Sequence, residues 1–134
     1  MINNINDIAG IRIICPLKKD IFSIRNLVIS LPGVKLVKEK DYVTNPKKSG
    51  YSSYHLILDV PITLSQKTMY VRVEIQIRTM AMDYWASIEH KLKYKAKNKL
   101  SKADSKKMVK YAKMINKMDN EIMKIHKKYE ENEV

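Results

Sequence analysis

Apolar and polar side chains alternate without a break from Tyr70 to Arg78. Val71, Val73, Ile75 and Ile77 fall on one side of an extended chain, and Arg72, Glu74, Gln76 and Arg78 fall on the other. A period of two carried by β-branched residues predicts a strand whose apolar row faces a core. The polar row has an ordinary explanation, the water-facing side of an antiparallel sheet. It also sets a carboxylate and an amide among cations on one sheet face.

The rest of the chain divides in the same way. Asp7–Cys15 predicts a buried strand with a charged residue at its start. Lys18–Leu31 carries Ile21, Ile24, Leu27, Val28 and Leu31 at helical spacing, and Pro32-Gly33 ends that helix. Val34–Val37 predicts a short second strand. Lys38–Gly50 predicts a loop with the turn signal Asn45-Pro46. Tyr51–Val60 predicts a third strand, with Tyr54, Leu56, Leu58 and Val60 on one face and Tyr51, Ser53 and His55 on the other. Pro61–Thr68 predicts a turn, which makes Met69–Arg78 the hairpin partner of the third strand. Thr79 is a candidate N-cap for a helix over Met80–Lys95. Ser101-Lys102-Ala103-Asp104 resembles a capping box that opens a last helix. In that helix Met108, Tyr111, Ile115, Met118, Ile122, Ile125 and Tyr129 recur in a coiled-coil register. Such a stripe must be covered, either by its own domain or by another subunit. The predicted class is α+β: a mixed β-sheet of four to five strands flanked by helices, with a long C-terminal helix.

A length of 134 residues suits one domain with a real core, read here as a unit over 1–100 followed by the helical segment 101–134. The formal charge of +12 favours anionic partners such as nucleotides or RNA. Fourteen lysines and six acids fall within residues 91–134, so much of that charge has the plain reading of a solvated helix surface. The single Cys15 cannot form an internal disulfide and lies in an apolar run, which predicts a buried, unreactive thiol. Nothing resembles a signal peptide or a membrane-spanning run, so the expected compartment is the cytoplasm and no membrane partner is expected. Neither a Walker-type loop nor a dinucleotide fingerprint is present. Spacing reveals no Cys/His metal cluster and no Ser/His/Asp set.

Three segments do carry chemistry: Asp7-Ile-Ala-Gly-Ile-Arg12, then Lys40-Asp-Tyr-Val-Thr-Asn-Pro-Lys-Lys-Ser-Gly-Tyr-Ser-Ser-Tyr-His55, then Val73-Glu-Ile-Gln-Ile-Arg-Thr79. The last runs on into Ala81-Met-Asp-Tyr-Trp-Ala-Ser-Ile-Glu-His-Lys-Leu-Lys-Tyr-Lys95. In this order and spacing they resemble the synthetase domain of the RelA/SpoT family, and most of all the small alarmone synthetases of Gram-positive bacteria. The resemblance covers residues 7–95. It implies a nucleotidyltransferase-like domain that transfers pyrophosphate from ATP to the 3′-hydroxyl of GDP or GTP, giving (p)ppGpp and AMP.

The resemblance also implies roles. Asp7 and Glu74 would hold Mg²⁺, and Glu74 would activate the 3′-hydroxyl. Tyr51 would stack on guanine. Lys47 and His55 would contact the acceptor nucleotide and its phosphates, with Lys40 adding charge, and Gln76 would orient the acceptor. Asp83 stands where these synthetases contact the guanine edge, although many relatives carry Asn there. Arg12 would pack on the adenine of ATP. Ser49 and Lys48 depart from the usual loop residues. Related small synthetases are tetramers, which implies a homo-oligomer here. Hydrolysis of (p)ppGpp is not expected.

The family's domain begins with helices upstream of the Asp-Ile-Ala-Gly-Ile-Arg strand, and they carry further residues that hold the ATP phosphates. Only six residues precede Asp7. The expectation is therefore an N-terminally truncated synthetase with weak activity on its own. The alternative is a catalytically impaired module that binds guanine nucleotide or RNA and oligomerises through its last helix.

Overall fold

The computed structural model describes residues 9–132. Four strands form one sheet: β1 (Ala9–Cys15), β2 (Lys35–Asp41), β3 (Tyr54–Leu64) and β4 (Lys67–Thr79). Three helices accompany them: α1 (Lys18–Ile29), α2 (Met80–Lys95) and α3 (Lys102–Glu130). The sheet order is β1-β4-β3-β2. β1 runs parallel to β4, while β3 is antiparallel to both β4 and β2. The sheet is mixed, as the element order predicts.

The alternation in β3 and β4 decides the core. Leu56, Leu58 and Ile77 are almost wholly buried, and Val73, Ile75 and Tyr54 join them. Ile21 of α1 seals this layer from outside the sheet, with Ile24 and Val28 at its edge. At the β2 margin the Arg25 fork clasps Glu39, and the Tyr54 hydroxyl donates to the same carboxylate at 2.7 Å. These hydrogen bonds hold the Glu39 carboxyl below its ordinary range.

Several boundaries differ from the sequence expectation. β2 runs on to Asp41 instead of stopping at Val37, because Lys38, Glu39 and Lys40 find ladder partners on β3. β3 begins at Tyr54, not Tyr51, and continues through Pro61 to Leu64. β2 pairs with β3 only as far as Asp59, so Pro61 stands where β3 has a single neighbour and a missing N–H is tolerated. The turn shrinks to Ser65-Gln66, with Ser65 at φ 54°. The sequence predicts a buried β1; among the described residues it is an exposed edge strand whose single sheet neighbour is β4, and Cys15 is its one buried residue. Leu27 and Leu31 are likewise exposed beyond the stripe that α1 buries. Burial pushes the Cys15 thiol up to about 11, as expected of an inert cysteine.

Both predicted caps form. The Thr79 hydroxyl accepts from Met82 N, and the Ser101 hydroxyl accepts from Asp104 N. Lys97 and Asn98, both in the left-handed region, turn the chain from α2 into α3. α3 docks through Met108, Ala112, Ile115, Asn116 and Asp119, a face rotated from the heptad seam. Trp85 donates its indole N–H to the Met108 carbonyl at 2.9 Å. A Cβ on Gly50 would lie 2.7 Å from the Ala112 methyl, so the 44–50 loop rests directly on α3. Thr79 donates to the buried Asp119 at 2.7 Å, and the Lys18 ammonium spans Asn116 and Asn120. The seam expectation holds in part: Met108 packs inward, whereas Tyr111, Met118, Ile122, Ile125 and Tyr129 stay exposed in the single chain.

Candidate functional site

Facing strand residues share a sheet face, so the register brings distant polar residues into line. Lys40 pairs with His55, His55 with Gln76, and Gln76 with Arg12. One rung therefore carries four candidate residues from four strands across the open face. The neighbouring rung on that face runs Lys38, Ile57, Glu74, Gly10. Side chains two residues apart on a strand stand roughly 7 Å apart, which is the scale of a nucleotide sugar and its phosphates.

The loop between β2 and β3 overhangs this face. Asp41 accepts from the Val43 and Thr44 amides and from the Thr44 hydroxyl, which fixes the turn after β2. Val43 is buried and anchors the loop. A second turn closes when Gly50 N donates to the Lys47 carbonyl; Gly50 at φ 99° takes a backbone shape that suits glycine. These turns set Lys47 and Tyr51 over the sheet. The Lys47 ammonium lies 4.9 Å from the Tyr42 ring centroid and 5.3 Å from that of Tyr51. Tyr42, Tyr51 and His55 meet edge to face. The Tyr51 hydroxyl lies 2.9 Å from His55 Nε2.

Two recesses flank Glu74. One, of about 250 Å³, is lined by Lys38, Glu39, Lys40, Tyr42, Lys47, His55, Ile57 and Glu74. The other, of about 300 Å³, is lined by Gly10, Ile11, Arg12, Glu74 and Gln76. Among the described residues nothing lies within 4 Å of the point where a Cβ on Gly10 would sit. Three lysines face Glu74 and Glu39, the latter already paired with Arg25, which leaves the first recess with an excess of positive charge that favours an anion. Burial is the largest influence on His55 and lowers its pKa; Arg78, Lys47 and Lys40 push the same way, while Glu74 opposes them.

Asp83 reaches the site from the first turn of α2. Its Oδ1 pairs with Arg12 at 3.3 Å and with Arg78 at 3.1 Å. Gln76 donates its amide to Glu74 Oε1 at 3.0 Å. Arg12, Lys40, Lys47, Tyr51, His55, Glu74, Gln76 and Asp83 thus gather on one face. Asp7 lies outside the described residues. Sequence reasoning passed over Tyr42 and Arg78 as site residues. Tyr42 was visible as an aromatic inside the Lys40–His55 segment. Arg78 was visible in the polar row of β4, but nothing local says that it turns inward.

No group of three or more His, Cys, Asp or Glu side chains suited to a metal occurs among the described residues. Among the described residues Glu74 alone lines both recesses with a hard carboxylate. That donor chemistry suits Mg²⁺, which binds through one or two carboxylates together with substrate phosphates. No helix among the described residues is long and apolar enough to cross a membrane.

A family model described as "Region found in RelA / SpoT proteins" matches residues 1–99. The chain is 42% identical over 127 residues to GTP pyrophosphokinase YwaC of Bacillus subtilis, covering 95% of this chain and 60% of that protein. It is 34% identical over 130 residues to GTP pyrophosphokinase YjbM of the same organism, covering 97% of this chain and 62% of that protein. It spans about three fifths of the length of both curated relatives. Among solved structures, small alarmone synthetase 2 from Bacillus subtilis superposes with a TM-score of 0.87 at 42% identity, covering 93% of this chain and 68% of that one. Small alarmone synthetase 1, solved bound to its product pppGpp, gives 0.82 at 33% identity, covering 89% and 61%.

Proposed function

This chain belongs to the RelA/SpoT family, and from that premise we propose that it serves (p)ppGpp synthesis, the transfer of pyrophosphate from ATP to the 3′-hydroxyl of GDP or GTP. The observation that carries this reading is the shared rung of Lys40, His55, Gln76 and Arg12 beside Glu74, roofed by Lys47 and Tyr51. The cationic recess takes the acceptor nucleotide. Tyr51 offers guanine a flat face, and Lys47, Lys40 and His55 face its phosphates. Gln76, tethered to Glu74, orients the ribose.

Glu74 accepts the proton leaving the 3′-hydroxyl, a role that requires only hydrogen-bond reach and an ionised carboxylate. Arg12 packs on the donor adenine from the second recess, its planar guanidinium suited to stacking. Asp7 and Glu74 would hold Mg²⁺, which when bound supplies charge neutralisation for the transferred group. Residues 1–100 form the nucleotide-binding unit in this reading, and 101–134 provide a helix whose exposed apolar stripe packs on a further copy of the chain, in a tetramer or a smaller assembly. The cytoplasm is the corresponding compartment.

The test is titration of fluorescent mant-GDP and mant-ADP into the chain, with product from ATP and GDP followed in Mg²⁺ buffer. The reading expects tighter binding of the guanosine than of the adenosine nucleotide at this site, and loss of any product in Glu74→Gln. Equal, weak binding of both nucleotides would overturn it.

A further inference from the structure

Arg78 has no part in the contacts expected of the substrates, yet it is the one buried cation among the described residues, at 5% exposure. A guanidinium withdrawn from water is costly unless its donors are met. Here they are met almost completely. Nε donates to Ser53 Oγ at 3.4 Å and Nη1 to Asp83 Oδ1 at 3.1 Å. Nη2 donates both to the Tyr51 hydroxyl at 2.7 Å and to Gln76 Oε1 at 2.8 Å. The guanidinium carbon also stands 5.3 Å from the Tyr51 ring centroid.

Each contact removes a freedom that the site could not tolerate. The Tyr51 hydroxyl accepts from Arg78 and lies 2.9 Å from His55 Nε2, so the ring is held at its tip between the cation and the imidazole. The Gln76 amide could point either way, but the cation takes its oxygen and leaves its NH₂ for Glu74. Asp83 is held between Arg78 and Arg12, which joins the acceptor side of the face to the donor side. Ser53, whose hydroxyl donates to the Ile77 carbonyl, locks the inner edge of the fork to β4.

We propose that Arg78 is the positioning residue of this site: its guanidinium fork fixes Tyr51, Gln76 and Asp83 together, and through Asp83 it ties Arg12 to the same frame. The proposal rests on the reading of Tyr51 as the guanine platform. It requires a planar fork of donors rather than a positive charge, so lysine cannot replace it.

The experiment compares the wild-type chain with Arg78→Gln, Arg78→Lys, Tyr51→Phe and the Tyr51→Phe/Arg78→Gln double variant. Mant-GDP affinity and melting temperature are measured for each. Arg78→Gln is expected to weaken mant-GDP binding by roughly ten- to a hundredfold, as for loss of hydrogen bonds to a charged group. Arg78→Lys is expected to regain the wild-type melting temperature but not the affinity. The double variant is expected to bind no worse than Arg78→Gln, because Tyr51→Phe removes a group that Arg78 already controls. Unchanged affinity in Arg78→Gln, full rescue by lysine, or additive losses would each overturn the proposal. Tyrosine ring-labelled NMR provides a readout free of ligand, with the Tyr51 signal identified by its loss in Tyr51→Phe. A wild-type chain that binds no guanosine nucleotide refutes the acceptor reading, and Arg78 is then judged by this signal. A shifted or averaged Tyr51 ring in Arg78→Gln supports the proposal, and an unchanged ring defeats it.

Discussion

The two faces of the sheet are built from the same strands by residues one position apart. On one face Leu56, Leu58, Val73, Ile75 and Ile77 close over Ile21 and exclude water. On the other, Lys40, His55, Gln76, Arg12 and Glu74 stay partly open and carry polar chemistry in place of apolar packing. The first face supplies stability through area removed from water. The second contributes little to it, since its ion pairs are solvated, and is free to be specified by chemistry. Arg78 is the exception that joins them: it sits in the polar row, yet it is as buried as the core.

The sharpest break of the contrast is a deletion on the apolar face. Leu56→Ala should destabilise the chain by about 2–5 kcal/mol in urea denaturation, while molecules that remain folded keep their nucleotide affinity. A matching loss of affinity at full folding would mean that the faces are not separable. Next comes Tyr51→Ala, which should weaken mant-GDP binding by about 1–3 kcal/mol, the usual worth of one aromatic–base stack, with a smaller loss of melting temperature than Leu56→Ala, since Arg78 loses one of its acceptors.

Asp119 tests the buried polar link between β4 and α3. Burial raises its pKa, outweighing the Thr79 hydrogen bond and the Lys18 charge. The folded chain therefore holds this proton more tightly than the unfolded one. By linkage, the Asp119 contribution favours folding below the ordinary aspartate range and diminishes as pH rises through the raised value. Asp119→Asn should flatten that decline in a stability–pH profile while keeping an acceptor for Thr79. A steeper decline in the variant would contradict this origin. The smallest effect is expected at the far hairpin, where the Arg72–Asp59 pair is solvent-exposed. Arg72→Ala should leave both melting temperature and nucleotide affinity unmoved, since such pairs contribute little.

Much of this was legible in the chain. The alternation of Tyr70–Arg78 assigned each side chain of β4 to its face, and Tyr54, Leu56 and Leu58 did the same for β3. The caps at Thr79 and Ser101 were readable because capping is local chemistry. Strand ends at Lys38–Asp41 and Pro61–Leu64 were not, because lysine and proline read locally as loop or turn until a neighbouring strand offers partners. The docking face of α3 was legible only in part for a similar reason. Its apolar positions are real, but Asp119, Asn116 and Lys18 draw the helix onto the domain by a rotated face.

What the sequence determined unaided was period and chemistry: which side chains share a face, where helices begin, and which residue types could meet an anionic nucleotide. These follow from bonds and hydrogen bonds within a few residues. The tertiary structure alone decided that Lys40, His55, Gln76 and Arg12 fall on one rung, that Arg78 turns inward to hold Tyr51 and Asp83, and that α3 supports the loop at Gly50. Those outcomes depend on strand order, register and helix docking, which are contacts between distant segments and leave no trace in local pattern.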